Sequence, residues 1–246
     1  MSDPTGPFLS VRGDARQTVA PDYVTLASTI DISRGSKGEA LRTAAARLDR
    51  LIADLTTLGA EALSVETERR PLTWSAQSAT THAEREHSDQ TGRYEPTGRV
   101  TATVAVLIAV RDFGLLDSLG AVLAAHETLS VHEAAWEVDW DNPAWPDVRA
   151  AAIQAAIRKG RDYAAALGGS LRSVEHIADV GLLGGGEATQ YRSAGARRAM
   201  SASGGREPDT PSLDPVPQEL TATIEARFIA TGVSLTGADG GELGAT

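Results

Sequence analysis

The strongest alternation of apolar and polar positions in the chain runs from Gly98 to Asp112. Val100, Ala102, Val104, Val106, Ile108 and Val110 fall on one side of a strand, because successive side chains point to opposite faces. Thr101, Thr103, Ala105, Leu107 and Ala109 fall on the other. The first set is apolar and β-branched and is expected on a core; the second is mixed, as on a sheet covered on one side only.

The same period marks further strands. Residues 8–13 predict a short strand closed by Gly13, and Tyr23 to Ile32 alternates cleanly, which predicts a hairpin with the first. Leu63 to Trp74 reads as a third strand, with Pro71 confining its second half to an edge or a bulge. Residues 76–92 are polar without an apolar period and read as an exposed hairpin loop. The Gly98 strand is expected to start near Arg93 and to pause at Pro96-Thr97-Gly98. Leu129 and Val131 open another strand, whose apolar phase shifts to Trp136, Val138 and Trp140, as at a bulge near Ala134-Ala135. Leu171 to Val180 and Glu219 to Thr231 complete the set.

Helical spacing appears three times. Ser36 and Glu39 form a capping box, followed by a stripe of Leu41, Ala44, Leu48, Leu51, Ile52, Leu55 and Leu58, with Gly59 where a terminating glycine belongs. Asp112 can cap a second helix carrying Leu115, Leu116, Leu119, Val122 and Leu123. A third begins at Asp141-Asn142-Pro143, carries Val148, Ala152, Ile153, Ala156, Ile157, Ala164 and Leu167, and stops at Gly168-Gly169. Its alanines predict close approach to a sheet or a second helix. The order β-β-α-β-β-α-β-α-β-β predicts an α+β fold with a mostly antiparallel sheet. We expect one domain over 7–232, a disordered insertion at 181–217 and a flexible tail at 233–246.

Composition narrows the function classes. The chain has no cysteine, which excludes disulfides, thiolate metal sites and a cysteine nucleophile. The net charge of −10 and an aromatic content of 4% argue against nucleic-acid binding. The longest apolar run, Val104 to Val110, is far short of the ~20 residues that span a bilayer. The N-terminal residues have neither a basic nor an apolar leader segment, so a cytoplasmic location is expected.

No catalytic, cofactor-binding or metal site is predicted. His82 and His87, with Glu84, Glu86 and Asp89, have ligand-type side chains, but their spacing is not H-E-x-x-H and a solvated loop explains them. Asp139, Asp141 and Asp147 surround a helix start, where capping and the helix dipole account for them. Gly181 to Gly186 is not followed by the Lys-Ser/Thr of a phosphate loop, and Arg192, Arg197 and Arg198 read as part of a flexible segment. Trp136, Trp140 and Trp145 form either a local core cluster or an apolar patch for a second subunit, with Trp145 expected to face outward most freely.

The combination of Val11-Arg12-Gly13, Pro21-Asp22 before a long alternating strand, an amphipathic helix ending at Gly59, a hairpin with Tyr94 ahead of an alternating strand, an Ala-rich helix ending Leu167-Gly168-Gly169 and a last alternating strand resembles the SIMPL-domain family, over about Phe8 to Thr231. The resemblance implies an α+β fold, bacterial envelope relatives linked to stress tolerance, and oligomers in some members. It brings no catalytic residues; Gly13, Pro21, Asp22, Gly59 and Gly168 match as turn and cap positions. This chain differs in its N-terminus and its long 181–217 segment. The function expected is a non-enzymatic, homo-oligomeric interaction or scaffold protein; the alternative is a hydrolase or ligand-binding enzyme with a site under the 76–92 or 181–217 loop.

Overall fold

The computed structural model describes residues 6–88, 92–182 and 214–234. The elements are β1 (Phe8–Val19), β2 (Tyr23–Arg34), α1 (Lys37–Thr57), β3 (Glu61–Ala62), β4 (Leu72–Ala76), β5 (Thr80–Ser88), β6 (Arg93–Val110), a 3-10 turn at Phe113–Leu115, α2 (Leu116–Ala124), β7 (Leu129–Glu137), α3 (Ala144–Ala166), β8 (Ser170–Asp179) and β9 (Gln218–Thr231). This is an α+β fold rich in antiparallel pairs. The described residues divide into two compact units: one contains β1, α3, β8 and β9, the other β2 to β7 with α1 and α2. The expected insertion and tail fall for the most part outside the described residues.

In the larger unit the sheet order is β3-β4-β6-β2-β7, with β5 also paired to β6. The alternation predicted for β6 holds: Ala102, Val104, Val106, Ile108 and Val110 are buried, as are Val24, Leu26, Ile30 and Ile32 of β2. Helix α1 covers this face with Ala40, Ala44, Leu51 and Leu55, and α2 adds Leu116, Leu119 and Leu123. Ser28 is the polar exception in the buried row, and its hydroxyl donates to the Val106 carbonyl at 2.9 Å, so its burial leaves no unsatisfied hydroxyl. The Ser36 hydroxyl accepts from the Glu39 N–H, and Gly59 closes α1 at φ +86°.

The smaller unit is a three-stranded antiparallel sheet, β1-β9-β8, under α3. Leu220, Ala222, Ile224, Ala226, Phe228 and Ala230 of β9 form the buried row against the helix. The helix meets the sheet through Ala152, Ala156, Gly160 and Ala164. A methyl group placed on Gly13 would overlap the Ala152 carbonyl oxygen and lie 2.6 Å from the Ala156 nitrogen. The predicted close approach is therefore made by small residues from both sides.

Several expectations change. Gly13 does not end β1, which runs on to Val19 and keeps unbroken register with β9 from Phe8 opposite Ile229 to Val19 opposite Gln218. The expected β1–β2 hairpin does not form; β2 lies between β6 and β7. Residues 63–71 form turns rather than strand, because Thr67 satisfies the local backbone: its Oγ1 accepts from Ser64 N at 2.7 Å and donates to Ala62 O at 2.6 Å. The polar stretch read as a loop contains β5, paired with β6 from Thr80 opposite Thr103 to Ser88 opposite Arg93. It shows no apolar period because the outer half of this ribbon has both faces in solvent. The bulge in β7 falls at His132, between Glu133 opposite Ala27 and Val131 opposite Ser28.

Candidate functional site

Three groups held away from their ordinary pKa values, Tyr23, Arg111 and Asp139, come together where β2 begins and β6 and β7 end. Strand order explains it: Tyr23 is the first residue of β2, Glu137 is its partner on β7, and Arg111 follows Val110, the partner of Val24 on β6. The Tyr23 hydroxyl donates to Glu137 Oε2 at 2.9 Å, and the Thr25 hydroxyl donates to Glu137 Oε1 at 3.2 Å. The Arg111 guanidinium lies 4.5 Å from the centre of the Tyr23 ring. Its Nη1 and Nη2 donate to the two oxygens of Asp139 at 2.7 and 3.0 Å, and its Nε donates to the Glu68 carbonyl at 2.9 Å. Arg69 adds a third bond to Asp139, at 3.0 Å. Asp22, the acid of the Pro-Asp pair, accepts from the Asp139 N–H at 2.8 Å and donates its own N–H to the Glu137 carbonyl.

Burial, and then the bond to Glu137, push the Tyr23 phenol up to about 12. The bonds from Arg111 hold the Asp139 carboxyl below its ordinary value, and the same pair raises Arg111. Tyr23 thus stays protonated through the physiological range, and Asp139 stays ionised and engaged with two guanidiniums. The arrangement suits fastening the end of β7 to the start of β2 rather than proton transfer near neutrality.

A second polar row crosses the same face. The Thr103 hydroxyl donates to Asp31 Oδ1 at 2.5 Å, and the Thr29 hydroxyl donates to Asp31 Oδ2 at 2.9 Å. His132 Nε2 is 2.7 Å from the Thr29 oxygen. The one hydroxyl proton of Thr29 goes to the carboxylate, so Nε2 acts as the donor. Further along, the Thr101 hydroxyl donates to Glu84 at 2.6 Å, while Arg99 bonds Ser33 and lies 3.4 Å from Glu84. Bonds from Ser33 and Thr101 hold the Glu84 carboxyl below its ordinary value.

The residues singled out from the sequence are dispersed. Trp136 is half-buried and meets Phe113 edge to face at 5.3 Å, against the core of the larger unit. Trp140 is 81% exposed. Trp145 is half-buried, with Arg149 one turn later 5.4 Å from its ring centre; its place in the first turn of α3 brings that cover, which Trp140, outside the helix, lacks. Trp140, not Trp145, is thus the outward ring. His82 faces Thr101 across the ribbon, and His87 meets Tyr94 edge to face at 5.5 Å. His126 is buried, 3.0 Å from Asp54, and His176 lies exposed on β8. Just ahead of α3, Asn142 Oδ1 accepts from the Ala144 N–H at 2.9 Å. Among the described residues no group of three or more ligand-type side chains is placed to hold a metal ion. Arg192, Arg197 and Arg198 lie outside the described residues, as does Asp89. The Tyr23–Arg111–Asp139 network was not predicted; its signal was the position of all three groups at strand ends, which becomes informative once strand order is known.

No helix among the described residues is long and apolar enough to cross a membrane. No curated protein matches the chain. The family model described as SIMPL, a protein of unknown function (DUF541), matches residues 9–228, which contain nearly all of the β1–β9 pairing, the Pro21-Asp22 clamp and the helices α1, α2 and α3, and the chain belongs to that family.

Proposed function

We propose that this chain is a non-enzymatic assembly module, a homo-oligomeric interaction or scaffold protein. The observation that carries the reading is β1: twelve residues in unbroken register with β9, at the edge of a sheet that has three strands among the described residues. Such an edge offers a row of backbone donors and acceptors to another strand. By contrast, β8 at the opposite edge is interrupted by two register shifts. Trp140, at 81% exposure, adds an apolar ring of the kind enriched at binding hot spots. The net charge of −10 opposes association, but salt screens it beyond ~8 Å at physiological ionic strength. Light scattering and native mass spectrometry across a dilution series test the reading. The expected result is a mass that is a multiple of the 25.7 kDa of one chain and falls on dilution. The mass of a single chain at every concentration would overturn it.

A further inference from the structure

We infer that two copies of this chain join β1 to β1, antiparallel, about a two-fold axis through Gly13. This rests on the assembly reading above and names its surface and partner. The parity of the strand defines which groups are available. The Ala230 N–H donates to the Pro7 carbonyl, so odd-numbered residues of β1 turn their backbone groups towards β9. Even-numbered ones turn theirs to the side that carries no strand among the described residues: Phe8, Ser10, Arg12, Asp14, Arg16 and Thr18. Lys159 agrees, since its Nζ donates to the Arg12 carbonyl at 2.8 Å. A carbonyl oxygen has two lone pairs, and this bond uses one of them.

The charges then select the register. Pairing about Gly13 sets Arg12 opposite the second copy's Asp14, Asp14 opposite its Arg12, Ser10 opposite Arg16 and Phe8 opposite Thr18. All six outward residues find partners, and the opposite charges meet twice. Hydrogen-bond parity allows sliding only in steps of two residues. One step towards the N-terminus sets Arg12 on Arg12. One step the other way sets Asp14 on Asp14 and Arg12 on Arg16. A further step restores Asp14 opposite Arg16 but leaves two outward residues unpaired. In the chosen register Arg12, which already bridges Glu225 at 2.9 Å, lies between two carboxylates on adjacent strands. The product is one continuous sheet, β8-β9-β1-β1-β9-β8, twice the width of the three-stranded sheet in each copy.

Charge reversal on the full chain tests this, with native mass spectrometry and sedimentation as readouts and circular dichroism on the same samples. Arg12→Asp alone and Asp14→Arg alone should each weaken pairing at least tenfold. An equimolar mixture of the two should form the mixed dimer, because every Asp then faces an Arg. The double variant, with both reversals in one chain, should pair like the wild type. Asp14 is exposed and takes part in no ion pair among the described residues, so its variant keeps the test open if Arg12→Asp folds poorly. Single reversals that assemble like the wild type, or a mixture and double variant that stay apart, would overturn the β1 register while leaving oligomerisation intact. A wild type that never exceeds the mass of a single chain would remove both.

Discussion

Replacing Gly13 by alanine should cost about 1–2 kcal/mol, although alanine is the better residue for an extended backbone. The magnitude follows from the contact with α3. The new Cβ would overlap the Ala152 oxygen and sit 2.6 Å from the Ala156 nitrogen and 2.8 Å from the Ala156 Cβ. Real Cβ atoms essentially never come within 3.0 Å of another heavy atom, so strand and helix must part. Two of the three obstacles are backbone and cannot rotate away. The seam beneath is built from Ala152, Ala156, Gly160 and Ala164, none with a side chain long enough to refill a gap. A radial gap of ~1 Å forfeits roughly half of each dispersion contact along such a seam. Overpacking of this kind costs about 1–3 kcal/mol or somewhat more. Reduced freedom of the unfolded chain returns only about 0.4–1 kcal/mol. Urea unfolding followed by tryptophan emission, with amide exchange along α3, measures the effect in the unit concerned. Gly120→Ala is the control: it lies within α2 with nothing within 4 Å of the new methyl group, and should gain about 0.5–1 kcal/mol. A Gly13→Ala protein as stable as the wild type, with α3 amides equally protected, would refute the close-approach argument.

Three further outcomes are expected. Tyr23 titrates at about 12 when folded against ~10 unfolded, so its contribution is complete below pH 10 and is lost as pH rises to 12; denaturation across pH 8–12 should show a loss that Tyr23→Phe removes. Asp139 is shifted the other way, so its contribution is present above ~4 and lost as pH falls through its lowered folded value; Asp139→Asn should cost roughly 2 kcal/mol at pH 7 and flatten the acid limb of the stability curve. Trp136→Ala should destabilise the larger unit by roughly 2–3 kcal/mol, whereas Trp140→Ala should leave stability within about 0.5 kcal/mol and change only the concentration dependence of assembly, read by light scattering.

Local patterning by itself determined which residues face a core in the strongly periodic elements. The alternation of β6 and β9, the stripe of α1 with Ser36 before it and Gly59 after it, and the small residues of α3 were all legible, because side-chain direction is a property of the local backbone. Which strand pairs with which was not legible. Every strand presents the same backbone donors and acceptors, so β1 could as readily have been assigned to β2, its neighbour in sequence, as to β9, near the other end of the chain. The ribbon of β5 was read as a loop because its outer half meets water on both faces and no apolar period marks it. The Tyr23–Arg111–Asp139 network and the open side of β1 are consequences of strand order. Only tertiary structure decided them, because it joins residues whose separation along the chain carries no local signal.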